Sequence, residues 1–354
     1  MTLVEPDAAL RRAVAAFELP TPLTFGARTG PVLFVADYRN GQWQPGELME
    51  FGPIPLNPAG TALQFGQQCF EGMKVFWVEQ DAPAVFRLDA HIARMRRSAE
   101  RLCMPAVPAE LFAQGVASIT AAMQPLIPRG SGDSLYLRPM LYGCDERYPV
   151  ASADNFRFAI VCSPSGPYFA KPIRVLVERT ASRAAVGGTG DIKAGGNYAG
   201  SILATRRCNE AGFDQPLWLD PSERKNVEEL SAMNVAAIID DELHTPALSG
   251  TILPGITRDS LLKLAANRGM GTAERVMPID ELLDDIAAGR CTEFFACGTA
   301  AILNPIAAVA DGERLVELPE AGTRASELRQ ALLDIQEGRA ADPHGWMSAA
   351  SSNA

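Results

Sequence analysis

This sequence predicts a two-domain protein of mixed α/β class with α+β character, and three observations carry that expectation. The chain has 354 residues, where a single domain usually takes roughly 100 to 200. Hydrophobic residues make up 47% and charged ones 21%, a balance that supplies large apolar cores. Short β-rich runs alternate with segments of helical period in both halves, and the densest group of chain breakers, Ser163-Pro164-Ser165-Gly166-Pro167-Tyr168, falls near the middle. The organisation expected is a smaller N-terminal α/β domain at 1–165, an interdomain loop at 166–172 and a larger C-terminal domain at 173–354.

In the first half, Pro31 to Tyr38 is a β-rich run that ends in Arg39-Asn40-Gly41, a hairpin turn signal. Lys74 to Glu79 and Ala84 to Leu88 read as a second hairpin closed around Gln80 to Pro83. Asp89 is a candidate N-cap for a helix to about Leu102, in which Ile92, Met95, Ala99 and Leu102 form an apolar stripe beside the basic stripe Arg94, Arg97 and Arg101. A second helix is expected after Pro108, followed by strands at Ser134 to Tyr142 and Phe156 to Cys162.

The second half opens with a strand at Ile173 to Glu178. A Gly-rich segment, Gly187 to Asn197, then leads into a helix reaching about Ala211. Strands are expected at Pro216 to Leu219, Val227 to Leu230 and Asn234 to Ile239, a helix at Thr257 to Asn267 stopped by Gly269, and a strand at Thr292 to Cys297. Ser326 to Ile335 is the final helix, and the tail from Ala349 to Ala354 is expected to fray.

Charge and cysteine usage narrow the function classes. Lys plus Arg is 32 against 42 for Asp plus Glu, a net charge of -10, which disfavours nucleic acid and anionic membrane as main partners and favours small molecules. No apolar stretch approaches a membrane span, and the first twenty residues lack the basic-then-apolar layout of a secretory signal. Seven cysteines without a CxxC pair read as reduced thiols of a cytoplasmic protein. The three histidines, His91, His244 and His344, are too scattered for a metal cluster.

Three local patterns could carry chemistry. Lys193 sits among the glycines of Gly187 to Asn197, but Ile192 before it and Ala194 after it break the P-loop pattern. An amine in a small-residue cavity suits a Schiff-base lysine, against the plainer alternative of a surface lysine on a loop. Leu253-Pro254-Gly255-Ile256-Thr257 feeds a helix whose first N–H groups, at Ile256 and Thr257, could seat a phosphate; an ordinary Pro-Gly turn is the competing reading. Cys297-Gly298-Thr299-Ala300 could add further donors to an anion. One lysine and two anion seats without metal ligands fit an aldehyde cofactor carrying a phosphate, namely pyridoxal 5′-phosphate.

Several of these words resemble the branched-chain aminotransferases: Lys193-Ala194-Gly195-Gly196-Asn197-Tyr198, Phe70-Glu71-Gly72-Met73-Lys74, Ser134-Leu135-Tyr136-Leu137-Arg138-Pro139, Leu253 to Arg258, Gly298-Thr299-Ala300 and His344-Gly345-Trp346-Met347. They are collinear from about Phe25 onward. The resemblance implies the two-domain architecture of fold-type IV pyridoxal phosphate enzymes, D-amino-acid-aminotransferase-like, in a homodimer with the cofactor in the larger domain at the domain interface.

The resemblance also implies roles. Lys193 would bind the cofactor aldehyde and move the substrate α-proton, Glu229 would pair with the pyridine nitrogen, and Tyr198 would donate toward the 3′ oxygen. Arg94, the N–H groups of Ile256 and Thr257, and Thr299 would hold the phosphate. Tyr136 and the backbone at Thr299 and Ala300 would meet the substrate carboxylate, with Arg138 orienting Tyr136, accepting a second acid group or serving as a structural ion pair. Phe25, Phe70, Tyr136 and Tyr198 would wall the side-chain pocket, with Phe65, Tyr148 and Val150 arriving from the partner subunit. The activity implied is transfer of the amino group of L-leucine, L-isoleucine or L-valine to 2-oxoglutarate.

The chain departs from its resemblance at Phe65 in place of Tyr, at Ser231-Ala232-Met233-Asn234 in place of Gly-Thr-Met-Asn, and at Tyr148 in place of a small aliphatic residue. Thr29-Gly30-Pro31-Val32 lacks the polar pattern usual after Phe25, and Ala301 and Asn304 stand where some members carry a cysteine pair. These changes keep alive a relative acting on a bulky, aromatic or non-protein amino acid. A same-fold lyase such as aminodeoxychorismate lyase and a non-enzymatic cofactor-binding protein are the remaining alternatives.

Overall fold

The structure is a computed structural model that describes residues 2–78, 82–166, 168, 171–319 and 322–350. Glu79, Gln80 and Asp81 of the expected second hairpin, positions 167, 169 and 170 of the expected interdomain loop, and 351–354 of the expected frayed tail lie outside the described residues.

In chain order the elements are α1 (Ala8–Ala15), β1 (Val32–Arg39), β2 (Gln42–Trp43), β3 (Glu47–Glu50), α2 (Thr61–Phe65), β4 (Gln68–Phe70), β5 (Met73–Trp77), β6 (Pro83–Phe86), α3 (Leu88–Arg101), α4 (Ala109–Met123), β7 (Ser134–Gly143), β8 (Phe156–Ser165) and β9 (Ile173–Glu178). Then follow α5 (Gly195–Ala199), α6 (Ile202–Glu210), β10 (Gln215–Leu219), β11 (Val227–Leu230), β12 (Asn234–Ile239), β13 (Glu242–Pro246), α7 (Ile256–Asn267), β14 (Thr272–Arg275), α8 (Ile279–Ala287), β15 (Cys291–Gly298), β16 (Ile302–Asp311), β17 (Arg314–Glu317), α9 (Thr323–Gln336) and β18 (Met347–Ala349).

Two compact units divide the chain. The first comprises Met1–Tyr168, Lys193–Gly195 and Leu333–Ala354; the second comprises Phe169–Ile192 and Gly196–Leu332. The division is therefore more than one cut, because the short segment at Lys193 and the end of the chain count with the first unit.

The sheet of the first unit runs β18-β6-β5-β7-β8-β1-β2, with β3 on β1 and β4 on β7. Its pairings are antiparallel. Asn40 and Gly41, at φ 53° and 75°, supply the two left-handed positions that the tight β1–β2 turn requires. Phe34, Val75, Leu135, Leu137, Phe158 and Ile160 project from the strands onto Ile92, Met95 and Ala99 of α3 and Phe112, Val116 and Ile119 of α4 in one buried core. Helix α3 starts two residues earlier than its capping pattern suggested. Arg87, at φ 53°, occupies the cap position and its N–H donates to the Trp346 carbonyl at 2.6 Å. Asp89 instead lies in the first turn, where its charge complements the helix dipole.

The second unit has a sheet in the order β11-β10-β9-β16-β15-β12-β13-β14, with β17 on β16. Strands β11 and β12 also pair, at Glu229 and Asn234, so six strands close into a ring. Val175, Leu217, Leu230, Val235, Ala237, Phe294 and Val309 fill its core with Leu282, Leu283 and Ile286 of α8. The helix expected from Asn197 to about Ala211 is split into α5 and α6 around Gly200 and Ser201. No helix among the described residues is long and apolar enough to cross a membrane.

Candidate active site

In the first unit, Lys193 is held by its backbone. Ala194 bridges to Cys69 beside it, the Phe70 N–H donates to the Lys193 carbonyl at 3.0 Å, and the Lys193 N–H donates to Ser98 Oγ at 3.1 Å. Ser98 is fully buried and its hydroxyl donates to the Arg94 carbonyl at 3.0 Å, so one side chain links the lysine segment to α3. Lys193 Nζ lies 4.9 Å from the centre of the Phe70 ring.

Arg94 is buried, unlike Arg97 and Arg101 on the same helix. Its Nε and Nη2 each donate at 2.7 Å to a separate oxygen of Glu71, which also receives His91 Nδ1 at 2.7 Å. Burial alone would raise the Glu71 carboxyl pKa, but the charge of Arg94, its hydrogen bonds and that of His91 hold it well below the usual carboxylate range. An ionised Glu71 only accepts, which assigns the proton to His91 Nδ1. Burial depresses the His91 pKa against the pull of Glu71, with the charges of Arg94 and Lys193 adding to the depression.

Four more predicted residues meet nearby within this unit. Arg138 donates to Tyr136 Oη from Nη2 at 2.9 Å and Nε at 3.3 Å, while its guanidinium lies 4.7 Å from the Phe70 ring centre. Phe25 packs edge-on against Tyr136 at 4.8 Å and against Tyr168 at 5.0 Å. A Cβ on Gly72 would fall 2.1 Å from Tyr136 Oη, so glycine is what lets the hydroxyl reach Arg138. By contrast, Phe65, Tyr148 and Val150 face solvent, with 38%, 76% and 90% of their surfaces exposed.

The second unit gathers the remaining residues. Glu229 lies on β11 at the point where the ring closes, and its neighbours on that strand are all buried. Its carboxylate accepts from Asn234 Nδ2 at 2.9 Å and the Leu253 N–H at 3.1 Å, and pairs with Arg183 Nη2 at 2.6 Å. Asn234 Nδ2 also donates to the Leu253 carbonyl at 2.9 Å, tying the Leu253 turn to β12. A Cβ on Gly255 would meet Asn234 Oδ1 at 1.9 Å, so this turn needs glycine to approach.

Helix α7 begins directly after Gly255, which brings no side-chain cap, and Ile256 and Thr257 open its first turn. Thr299 and Ala300 occupy the half-buried turn after β15. Tyr198 lies on α5, and the adjacent Asn197 fixes the Gly-rich segment by donating to the carbonyls of Thr189 at 2.7 Å and Ile192 at 2.9 Å.

Sequence reading singled out neither His91 nor Ser98 nor Arg183 for a site, and used Glu71 only as part of a motif. The signal available for His91 and Ser98 was their spacing of three and four residues from Arg94 on one helix, which puts them on its face. Arg183 carried no such signal, because its carboxylate partner, Glu229, lies far along the chain. Among the described residues no group of three or more His, Cys, Asp or Glu side chains could hold a metal ion.

The profile of the amino-transferase class IV family matches residues 68–309. The branched-chain-amino-acid aminotransferase of Mycolicibacterium smegmatis is 40% identical over 316 residues, covering 86% of this chain and 86% of that protein. Among solved structures, the branched-chain amino acid aminotransferase of Escherichia coli superposes with a TM-score of 0.75 at 25% identity, covering 92% of this chain and 100% of that one. The T.th. branched-chain amino acid aminotransferase complexed with N-(5′-phosphopyridoxyl)-L-glutamate gives 0.71 at 26% identity, covering 90% and 98%. Fold and relatives together define a transaminase of the fold-type IV architecture. The chain belongs to the amino-transferase class IV family.

Proposed function

We propose that this chain transfers the amino group of L-leucine, L-isoleucine or L-valine to 2-oxoglutarate, or the reverse, using pyridoxal 5′-phosphate. The observation that carries the reading is the buried carboxylate of Glu229, gripped by three donors in a chain whose relatives are branched-chain aminotransferases. Such a group suits a protonated ring nitrogen. A glycine-dependent turn leading into an uncapped helix start suits a phosphate. The residues present therefore fit the cofactor, and the phosphopyridoxyl adduct bound by the T.th. relative supports it.

When bound, pyridoxal phosphate supplies an aldehyde that takes up the amino group and a ring that accepts electron density from the substrate Cα. Lys193 Nζ would hold the cofactor's aldehyde group and would serve as the general base and then the general acid for the α-proton. Glu229 provides the fixed negative charge at the ring nitrogen, and Tyr198 donates to the 3′ oxygen. Arg94, the N–H groups of Ile256 and Thr257, and Thr299 bind the phosphate. Tyr136, oriented by Arg138, receives the substrate carboxylate together with the backbone at Thr299 and Ala300. Phe25 and Phe70 exclude water from the side-chain pocket.

Homodimer formation belongs to this proposal. The exposed rings of Phe65 and Tyr148, with Val150, suit a role in the pocket of a second copy, and exposed apolar groups of this size gain from being covered. A cytoplasmic location is part of the same reading. A second reading, a preference for a larger amino acid, is favoured by Ala232, a smaller residue than the threonine it replaces, and by the aromatic ring of Tyr148 in place of a small aliphatic group. The test is the initial rate with L-leucine, L-valine, L-phenylalanine and L-tyrosine against 2-oxoglutarate, with Lys193→Ala as control. Fast leucine turnover supports the branched-chain assignment; an aromatic preference moves it to the second reading, and no turnover of any of the four, with pyruvate released from aminodeoxychorismate, would indicate a lyase.

A further inference from the structure

We propose that Arg183 is a positioning residue that keeps the proton on the cofactor's ring nitrogen by holding Glu229 charged and in place. The inference rests on the reading of Glu229 as that nitrogen's partner. Arg183 precedes the Gly-rich segment, and its Nη2 stands 2.6 Å from Glu229 Oε1, with the two side chains exposed by only 5% and 4%. The same nitrogen donates to the Gly190 carbonyl at 3.0 Å and to the Thr251 carbonyl. The guanidinium is thus fastened to the turn before Lys193 and to the strand-to-helix segment before α7, on either side of the carboxylate in sequence.

This arrangement is expensive for a merely structural group. Arg183 Nε is buried without an acceptor, and Glu228 Oε2, on the residue next to Glu229, is buried without a donor. An apolar side chain of similar length would remove the unsatisfied donor but would leave Glu229 buried without its counter-charge and the Gly190 and Thr251 carbonyls without this donor. What it could not supply is a positive charge against one face of Glu229.

That charge decides where a shared proton rests. If the proton moves from the ring nitrogen to Glu229, the carboxylate becomes neutral and its attraction to Arg183 at 2.6 Å is lost. In a buried site that loss opposes the transfer, so the nitrogen stays protonated and the ring remains an effective electron acceptor. Arg183 acts on the chemistry only through Glu229, as Glu229 acts through the ring.

The experiment loads the dimer-competent full chain with pyridoxal phosphate labelled with 15N in the ring and reads the ring-nitrogen chemical shift at about pH 7.5, where histidine and carboxylate titration is largely complete. Wild type should show the protonated position. Arg183→Gln and Arg183→Met, either of which decides if the other fails to fold, should shift the signal toward the unprotonated position, and Arg183→Lys should restore it. Glu229→Gln is the control that separates the two claims. If Glu229→Gln shifts the signal and the Arg183 variants do not, Arg183 is only a structural tie and the proposal is overturned. If Glu229→Gln leaves the signal at the protonated position, the reading of Glu229 itself fails and takes the proposal with it.

Discussion

Glu71 grips Arg94 through two charge-assisted hydrogen bonds of 2.7 Å, one from Nε and one from Nη2, with both side chains buried. This fork fixes the guanidinium plane at a helix position that by sequence belongs to a solvated basic stripe. Three consequences can be measured in this unit, and a fourth tests the proposed chemistry.

Removing the carboxylate leaves a buried guanidinium without its counter-charge. Glu71→Ala should cost roughly 3–5 kcal/mol of unfolding free energy, measured by urea denaturation. The same variant should release pyridoxal phosphate faster on dialysis, because Arg94 loses the geometry that presents it to a phosphate. A loss under about 1 kcal/mol would place the pair among exposed ion pairs of little weight.

The His91 and Glu71 pKa values both lie below their ordinary values, His91 chiefly through burial and Glu71 because Arg94 and His91 outweigh its burial. For each, the unfolded chain binds protons more readily than the folded one, so stability falls with falling pH. Loss should begin as pH drops below the ordinary histidine value of 6.5 and steepen below the carboxylate value of 4.5. His244, lowered by burial and Arg275, adds to the upper part, so the difference between wild type and His91→Gln isolates His91. Melting temperature scanned from about pH 7.5 to about pH 5, the window in which histidines titrate, should fall less steeply in His91→Gln; parallel curves would contradict the assignment.

Gly72 and Tyr136 are coupled by contact. Gly72→Ala sets a methyl group against Tyr136 Oη and should cost about 1–3 kcal/mol through overpacking while raising KM for the amino acid about tenfold. Tyr136→Phe removes the oxygen, so the double variant should recover part of the lost stability. Additive single effects would show that the backbone yields instead.

Much of this molecule was legible in its sequence. Strands β9, β11 and β12 occupy the residues that their β-branched and apolar runs marked, α3 and α7 begin and end within a residue or two of their patterns, and α4 begins directly after Pro108. Strand β16 was not anticipated: Pro305 interrupts Ile302–Asp311 and removes an N–H that a strand normally donates. Helix α8 was passed over although Ile279, Leu282, Leu283 and Ile286 have helical spacing. For the candidate site, motif words contain Lys193 and Tyr136, and the family resemblance nominated Arg94 and Glu229. They did not disclose that Glu71 holds Arg94 or that Arg183 pairs with Glu229. Such pairings join residues 23 and 46 positions apart, by their numbering, and exist only once strands and helices pack.

The central claim is that Lys193 and its surroundings perform a branched-chain transamination with pyridoxal phosphate. Its most direct test is the absorbance spectrum of the cofactor-loaded protein, recorded before and after L-leucine and again after 2-oxoglutarate. The account predicts a visible band that L-leucine removes and 2-oxoglutarate restores, with the cycle lost in Lys193→Ala. A visible band that L-leucine and the other branched-chain amino acids leave unchanged would contradict it.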